Sequence, residues 1–246
     1  MQNLEEVAPG VHRAEGMGNW HLVVEDGRAL AVDAGLPADV ARLDAALERL
    51  GRPELVAVLL THGHADHIGF AEHVRRTRGT EVLALGAESR LLAKPLTGVK
   101  PERSPLAYAG NGSARAGAWQ LLRGRAYATR RIGAWTRLED GAALEHLPGR
   151  PVVHATPGHT PGHAAVELPG LGIVFTGDAL VTFDPYTGAT GPRLMARGSM
   201  WSSEEGRASL RRLASLEARL ALPGHGEPWA GSLAEAAEAA LRAPQG

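Results

Sequence analysis

The sequence predicts an α+β fold in which both hairpin-linked and helix-linked strands occur. Short apolar runs of strand length are separated by turn residues, and amphipathic stretches with helical periodicity lie between several of them. A turn signal at Asp26-Gly27 joins two of the apolar runs directly, as in an antiparallel hairpin. Because such hairpins occur beside strand–helix alternation, a doubly wound parallel sheet fits the pattern poorly.

The predicted elements of the N-terminal half follow a regular order. Short strands are expected within residues 11–33, on both sides of the hairpin turn. Apolar residues at helical spacing predict a helix over 37–50, with Pro37 near its start and Gly51 just past its end. Further along we expect a buried strand over 55–60, a helix over 65–78 closed by Gly79, and a strand over 81–85.

Residues 94–136 interrupt this order with many Pro, Gly, Ser and Arg residues. We interpret the segment as a partly helical insertion in one domain that covers residues 1–246. Beyond it, the sequence predicts strands near 152–155, 163–168 and 172–175, a charged helix over 202–220 capped at Ser202 or Ser203, and an Ala- and Glu-rich helix over 232–242.

Composition and charge restrict the classes of partner. The chain has 246 residues, 44% of them apolar and 22% charged, which is ordinary for a globular protein. With 26 Lys and Arg against 27 Asp and Glu, there is no electrostatic reason to expect nucleic acid or an anionic membrane as partner. We therefore expect a small-molecule substrate.

Cysteine usage and the N-terminal residues bear on the compartment. The absence of cysteine excludes disulfides, thiol nucleophiles and Cys-type zinc sites. The first ten residues contain Glu5 and Glu6 and no apolar core of a signal peptide, and no run approaches the ~18 apolar residues of a membrane span. These observations predict a cytoplasmic protein.

A cluster of ligand-type side chains follows the predicted strand over 55–60. The segment 61–67 reads Thr-His-Gly-His-Ala-Asp-His, with three His and one Asp in six residues where a strand gives way to a helix. Neutral imidazole and carboxylate suit zinc and neighbouring transition metals. The alternative is a His-rich helix cap on the surface. Because chance rarely sets four such side chains directly behind an apolar strand, the pattern favours a metal site.

Three later segments repeat one arrangement, in which an apolar run and a tight turn precede a ligand-type residue. The residues concerned are His159, Asp178 and His225. Loops at the ends of strands on one sheet edge are where sites are usually built. Together with the first cluster, they supply enough ligands for two metals with open positions for water and substrate.

These four motifs, in this order, resemble the metallo-β-lactamase-fold hydrolase superfamily over residues 19–226. The family signature is His-x-His-x-Asp-His followed by a separated His, Asp and His. The resemblance implies a four-layer αβ/βα sandwich with two metals at one edge of two packed sheets. It assigns His62, His64 and His159 to the first metal, Asp66, His67 and His225 to the second, and Asp178 to the bridge. Asp33 would orient a ligand histidine from behind.

The resemblance also implies the chemistry. Two divalent ions, zinc first and iron or manganese as alternatives, would share a water and convert it to a bridging hydroxide. This hydroxide would attack a small ester, thioester or lactone, and Asp66 would serve as the base. Phosphodiester hydrolysis on the same metal pair, and persulfide oxidation by a mononuclear iron dioxygenase, are the alternatives. A non-catalytic protein stabilised by metal is a third class.

Departures from known subfamilies leave the substrate open. Two-zinc β-lactamases generally carry Cys or Ser where Asp178 stands, and acyl-homoserine lactonases often carry Tyr where Val181 stands. Hydroxyacylglutathione hydrolases have a longer helical C-terminal region than the single short helix predicted after His225. The sequence therefore indicates a small-molecule hydrolase outside these subfamilies.

Aromatic residues near the motifs are candidates for the substrate pocket. Phe183, Tyr186 and Trp201 lie between Asp178 and the predicted helix over 202–220, and Trp20 and His21 begin an early strand that borders the cleft in this family. Arginines of the insertion would admit an anionic substrate group if some of them faced the cleft. His163 is expected to be structural rather than a ligand.

Overall fold

Two β-sheets pack face to face between outer layers of helices. This arrangement is seen in the computed structural model, which describes residues 4–98 and 100–246. Residues 1–3 and 99, which belong to the predicted domain and to the predicted insertion respectively, lie outside the described residues. The predicted α+β class and four-layer αβ/βα sandwich are confirmed.

The first sheet has seven strands in sequence order. They are β1 (Leu4–Ala8), β2 (Val11–Ala14), β3 (Trp20–Glu25), β4 (Arg28–Val32), β5 (Glu54–Leu59), β6 (Glu81–Leu85) and β7 (Thr136–Leu138). Strands β1 to β4 are antiparallel, whereas β4 to β7 run parallel. The predicted hairpin is β3–β4, and its turn residues Asp26 and Gly27 have φ of 50° and 72°, as a two-residue hairpin turn requires.

Helices cover one face of this sheet, and the alternation of side chains along each strand explains why. In β4, Ala29 and Ala31 pack toward the helices, while Leu30 and Val32 pack toward the second sheet. The helices that contribute to this layer are α1 (Val40–Arg49), α2 (Ala71–Arg78) and α3 (Ser89–Ala93). Helix α4 (Gly112–Arg123) belongs to the same half of the chain but lines the cleft described below. Thus one sheet separates two apolar layers.

The second sheet completes the sandwich. The remaining strands are β8 (Val152–Ala155), β9 (Ala164–Leu168), β10 (Ile173–Gly177), β11 (Val181–Phe183), β12 (Thr190–Arg193), β13 (Leu220–Pro223) and β14 (Trp229–Ala230). The sheet order is β14-β13-β10-β9-β8, and β11–β12 forms a separate hairpin. Helices α5 (Ser203–Leu213) and α6 (Leu233–Arg242) pack on its outer face.

Two predicted helices are shorter than expected. The helix predicted over 65–78 begins only at Ala71, because residues 65–70 form turns that are bonded to the end of β4: the amides of Gly69 and Phe70 donate to the carbonyls of Gly35 and Ala34. The helix predicted over 202–220 ends at 213, and residue 220 already begins β13. The first difference leaves residues 65–70 as loop residues beside the site, whereas residues 214–219 lie at the amino end of β13, opposite the loop that carries His225.

The predicted insertion over 94–136 contains two 3₁₀ turns, Pro105–Tyr108 and Ala126–Ala128, besides α4. Among the residues that the structure describes, no helix combines the length and the apolar character that crossing a bilayer requires.

Candidate metal centre

The candidate site lies at one end of the sandwich, where strands of both sheets terminate. Strands β8, β10 and β13 run in the same direction, so their carboxyl ends meet at one edge. The loops after them carry His159, Asp178 and His225, and the loop after β5 carries the cluster of residues 62–67. Loops at the ends of co-directional strands thus bring together side chains that are far apart in sequence.

The structure groups the predicted ligands into three sets, in each of which the ligand atoms lie within 4.8 Å of one another. The sets are His62 with His64 and His159, His62 with His67 and Asp178, and Asp66 with His67 and His225. All seven predicted ligand residues therefore converge on one small volume. The first and third sets coincide with the residues that the resemblance to the metallo-β-lactamase-fold superfamily assigns to two separate metals.

Asp178 lies between these sets. Its Oδ2 is 3.2 Å from Nε2 of His159 and 3.2 Å from Nε2 of His225, and its Oδ1 is 3.6 Å from Nε2 of His67. Burial alone would raise the pKa of Asp178, but the histidines, His225 foremost, hold that pKa well below its usual range. The carboxylate is therefore an anion in contact with both sets.

Electrostatic asymmetry distinguishes the histidines. Burial lowers the pKa of His62 and of His159 well below the usual value. Burial acts on His67 in the same direction, but Asp178, Asp33 and Asp66 outweigh it and raise the pKa of His67 to about 10. The carboxylates around His67 thus make this part of the cluster attractive to a cation.

Buried atoms without partners test whether a metal fits. Among the described residues, Nε2 of His62, Nε2 of His67 and Oδ1 of Asp178 are buried and have no hydrogen-bond partner. Such groups are costly to bury unless a partner satisfies them. Imidazole nitrogens and carboxylate oxygens are ligands of zinc, iron and manganese. The residues present therefore fit divalent metal ions.

Asp33 supports the cluster from behind. Its Oδ1 accepts from the amide of Thr61 at 2.8 Å, and its Oδ2 is 2.9 Å from Nδ1 of His67. The hydroxyl of Thr61 also donates to Asp33 and lies 3.0 Å from Nδ1 of His62. A proton held on Nδ1 of each ring leaves Nε2 free to bind a metal.

Asp33→Asn is expected to weaken zinc binding by about 10–100-fold, as is usual when a supporting partner of a ligand is lost. The amide oxygen can still accept from Thr61, but the amide nitrogen would face Nδ1 of His67 and favour the tautomer that protonates Nε2. Calorimetric zinc titration measures the effect. Asp39→Asn is the control, since Asp39 is also buried and accepts from the amide of Leu36. Equal zinc affinity in wild type and Asp33→Asn would contradict this role.

His163 has a different function from the candidate ligands. Its Nε2 accepts from the amide of Asp178 at 2.9 Å, and its Nδ1 is 2.8 Å from the hydroxyl of Thr156. Both ring nitrogens are therefore occupied by protein groups. The ring fixes the loop that carries Asp178, as its predicted structural role requires.

The loop of His225 is held by residues from the other end of the chain. The side-chain amide of Asn19 donates to the carbonyls of Pro223 at 3.0 Å and Gly226 at 2.9 Å. Arg13 is buried and pairs with Glu227 at 2.7 Å. The position of His225 therefore depends on the N-terminal strands.

A cleft of about 560 Å³ opens onto the cluster. His64, Asp66, His159, Asp178 and His225 line its base. Its walls are mostly apolar and come largely from the insertion, with Leu96, Leu106, Ala109, Ala118, Leu121 and Tyr186 among them. A small, largely apolar molecule could reach the candidate ligands through this cleft.

Of the five aromatic and histidine residues predicted to form the pocket, only Tyr186 lines this cleft. Phe183 lines a neighbouring cleft that also reaches His225. Trp201 is 40% exposed, and its backbone amide donates to the carbonyl of His159 at 3.0 Å while its side chain is absent from the lining.

The prediction that Trp20 and His21 line the pocket is wrong. Trp20 is fully buried against Phe70 in the layer between the first sheet and its helices. His21 is buried with its ring centroid 4.9 Å from that of Phe175. Both side chains are directed into the two apolar layers by the alternation along β3, so neither reaches the cleft.

His21 is instead expected to make stability depend on pH. Burial lowers its pKa to about 3, so below pH 6.5 the unfolded chain binds a proton that the folded chain does not. Stability from this group is complete above pH 6.5 and is lost as the pH falls toward 3, by roughly 1.4 kcal/mol per pH unit. Urea unfolding at several pH values should show a shallower acid slope for His21→Phe. The exposed His73→Phe should keep the wild-type slope, and an identical slope for His21→Phe would contradict the prediction.

Several residues at the site have no sequence signal that we recognised. Met17 and most of the apolar wall are ordinary core-type residues in the sequence. Glu88 is a buried carboxylate that contacts the loops of His62–His64 and His159–His163. Its only signal in the sequence is its place three residues after the strand predicted over 81–85.

Comparison with known proteins identifies a common family. The profile of the metallo-beta-lactamase superfamily matches residues 13–225. A hydroxyacylglutathione hydrolase of Gloeobacter violaceus is 31% identical over 171 residues, which cover 69% of this chain and 52% of that protein. The chain spans between 42% and 61% of the length of the first relatives that it matches.

Solved structures share the architecture. A metallo-beta-lactamase family protein of Thermus thermophilus is 27% identical, with a TM-score of 0.69 over 95% of this chain and 79% of that chain. The protein TTHA1623, in a di-iron-bound form, is 25% identical with a TM-score of 0.62, over 93% of this chain and 94% of that chain.

Proposed function

Because this chain belongs to the metallo-beta-lactamase superfamily, we propose that it is a metal-dependent hydrolase of a small, largely apolar ester, thioester or lactone. One observation carries the proposal: an apolar cleft opens directly onto the clustered histidines and aspartates. Ligand-type side chains at the base of such a cleft are suited to act on a bound molecule rather than only to stabilise the fold.

We propose that the site holds two divalent metals. His62, His64 and His159 would hold one, Asp66, His67 and His225 the other, and Asp178 would contact both. When bound, divalent metals polarise the attacked group and lower the pKa of water. The di-iron form of TTHA1623 supports two metals and keeps iron beside zinc and manganese as a candidate.

The chain's own residues would bind the substrate and move a proton. Asp66 borders the cleft, and its Oδ2 is 3.6 Å from Nε2 of His225, so it is placed to accept a proton from attacking water. The apolar wall contributed by residues such as Leu106 and Leu121 would exclude bulk water and receive the acyl part of the substrate. His64 is half-buried at the base, between the wall and the deeper ligands.

The lining favours carbonyl substrates over phosphodiesters. Arg115 is the only Arg or Lys among the described residues that line the cleft, and its guanidinium donates to the carbonyl of Gly110 at 3.0 Å. The other insertion arginines do not line it. The hydroxyacylglutathione hydrolase relatives also support a thioester or related substrate.

A complete second set of ligands favours hydrolysis over iron-dependent persulfide oxidation. That oxidation would need only the first set, whereas Asp66, His67 and His225 also converge here. We therefore place the hydrolase ahead of the mononuclear dioxygenase.

The proposed activity is tested with an aryl ester, an aryl thioester and a phosphodiester that carry comparable leaving groups. The purified, zinc-loaded protein should hydrolyse the carbonyl compounds with kcat/KM at least ten times that for the phosphodiester. A preference for the phosphodiester would overturn the proposed substrate class. No hydrolysis of any compound by a fully loaded protein would overturn the assignment as a hydrolase for these substrates.

Two adjacent leucines of α4 test the apolar wall. Leu121 lines the cleft, whereas its neighbour Leu122 is 54% exposed and does not. Leu121→Ala should lower kcat/KM for an apolar acyl ester by about 10-fold, because losing such a contact is worth roughly 1–3 kcal/mol. Leu122→Ala, the same change on the outer face, should leave kcat/KM unchanged. Equal kcat/KM in both variants would show that the apolar wall does not contact the substrate.

A further inference from the structure

Glu88 is a buried carboxylate outside the proposed ligand set. It ends a short 3₁₀ turn, Gly86–Glu88, directly after β6, and only 1% of the residue is exposed. Its Oε1 accepts from the amide of Gly63 at 2.8 Å. Its Oε2 accepts from the hydroxyl of Thr160 at 3.0 Å and from the amide of Gly162 at 2.9 Å. Three donors of the protein therefore surround one side chain.

These donors belong to two loops that come from different sheets. Gly63 lies between His62 and His64, in the loop after β5 of the first sheet. Thr160 directly follows His159, in the loop between β8 and β9 of the second sheet. One carboxylate thus connects the two loops that provide the first set of candidate ligands.

The spacing of those ligands demands such a connection. Nδ1 of His64 and Nε2 of His159 lie 2.8 Å apart, although the two residues are on opposite loops. Their ring centroids are 4.6 Å apart and the ring planes are perpendicular. A small relative movement of the sheets would change this distance, so the geometry of the first set depends on how the two loops are held together.

The backbone is shaped around Glu88. A Cβ added to Gly63 would lie 2.7 Å from Cβ of Leu91 and 3.3 Å from Oε1 of Glu88. A Cβ added to Gly162 would overlap the backbone nitrogen of Glu88. Glycine at both positions lets the two loops approach the carboxylate closely enough to donate their amides.

We propose that Glu88 is a positioning residue that sets the geometry of the first metal-binding set by holding the His62–His64 and His159–His163 loops at a fixed separation. This inference rests on the proposed metal binding. It assigns to Glu88 no contact with metal or substrate, and it predicts an effect on metal affinity through the loops alone.

Glu88→Gln isolates the role because it keeps the size of the side chain. A carboxylate accepts at both oxygens, whereas an amide accepts at one side and donates at the other. Whichever way the amide turns, its NH₂ group faces a backbone N–H of Gly63 or Gly162, neither of which can accept. In either orientation, residue 88 therefore loses at least one of its two bonds from the backbone amides of Gly63 and Gly162.

The experiment titrates Co²⁺ alone into chelator-treated full-length protein and follows its visible absorption. Glu88→Gln should bind Co²⁺ about 10–100-fold more weakly at one site and give an altered ligand-field spectrum. Glu72→Gln is the matched control, since Glu72 is also buried and accepts from the amide of Gly133 but does not touch the ligand loops. Glu72→Gln should lower stability while keeping the wild-type affinity and spectrum.

Thr160 provides a milder version of the same test if Glu88→Gln does not fold. Thr160→Val removes the hydroxyl that donates to Glu88 and should weaken Co²⁺ binding in the same direction. Thr160→Ser restores the hydroxyl and should restore the affinity. If both Glu88→Gln and Thr160→Val kept the wild-type Co²⁺ affinity and spectrum, the positioning role of Glu88 would be overturned, while the proposed metal centre would stand. A wild-type chain that binds no Co²⁺ would overturn the metal centre itself.

Discussion

Asp178→Asn is expected to lower kcat/KM by about 10³-fold or more and to reduce metal content at the same time. The asparagine keeps the shape of the side chain but removes an anion that lies 3.2 Å from both His159 and His225. No other carboxylate among the described ligand residues contacts both candidate sets. Removing its charge therefore leaves two cations with less compensation at close range.

Metal content measured beside the rate decides this prediction. Asp39→Asn is a suitable control, because it also removes a charge from a buried aspartate but one that faces Arg42 instead of the cluster. It should leave metal content and kcat/KM near the wild-type values. If Asp178→Asn kept both quantities, Asp178 would be a turn residue and the two sets would not be coupled through it.

Removing metal is expected to lower the melting temperature by about 10 °C or more. A ligand present at 100 times its Kd stabilises the folded state by about 2.7 kcal/mol, and two sites contribute twice. For a chain of this size, each kcal/mol corresponds to a shift of roughly 2–4 °C. The metal-free protein must also keep five histidines and two aspartates in close contact without a cation.

Differential scanning calorimetry with and without chelator measures this shift, and re-addition of zinc should reverse it. His225→Ala should show about half of the shift, because only the third set loses a member. An unchanged melting temperature on chelation, with metal analysis proving that metal was removed, would show that the sets do not bind metal in the folded chain.

Local patterns allowed the ligand positions to be predicted. The cluster of residues 62–67 is continuous in sequence, and the later ligand-type residues each follow a short apolar strand and a turn. Since strand ends meet at sheet edges, sequence order alone indicates that such residues can converge. The roles of these residues as ligands stay a prediction, which the metal titrations above address.

Side-chain direction and long-range packing could not be predicted in the same way. Trp20 and His21 start the strand expected beside the cleft, but alternation along β3 sends one ring into each apolar layer. The helix predicted over 65–78 shows helical periodicity, yet hydrogen bonds to the end of β4 hold its first six residues in turns. Such tertiary contacts override local propensity.

The contacts of Glu88 illustrate a further limit of sequence reasoning. Its partners Gly63 and Gly162 are 25 and 74 residues away along the chain. A single sequence offers no periodicity or motif at such distances. The apolar wall could not be predicted for the same reason. Its residues come together only when the insertion folds over the ligand loops.

The hydrogen bonds from Asn19 to the loop of His225 have a consequence for when the site can form during synthesis of the chain. Contacts between the two ends of a chain form late, since closing so long a loop is slow and the N-terminal part emerges first. The cluster at residues 62–67 is therefore made long before its partners exist. We expect a nascent chain to expose the imidazoles of residues 62–67 until the loop of His225 has been synthesised, and metal to bind fully only after that loop has packed against Asn19.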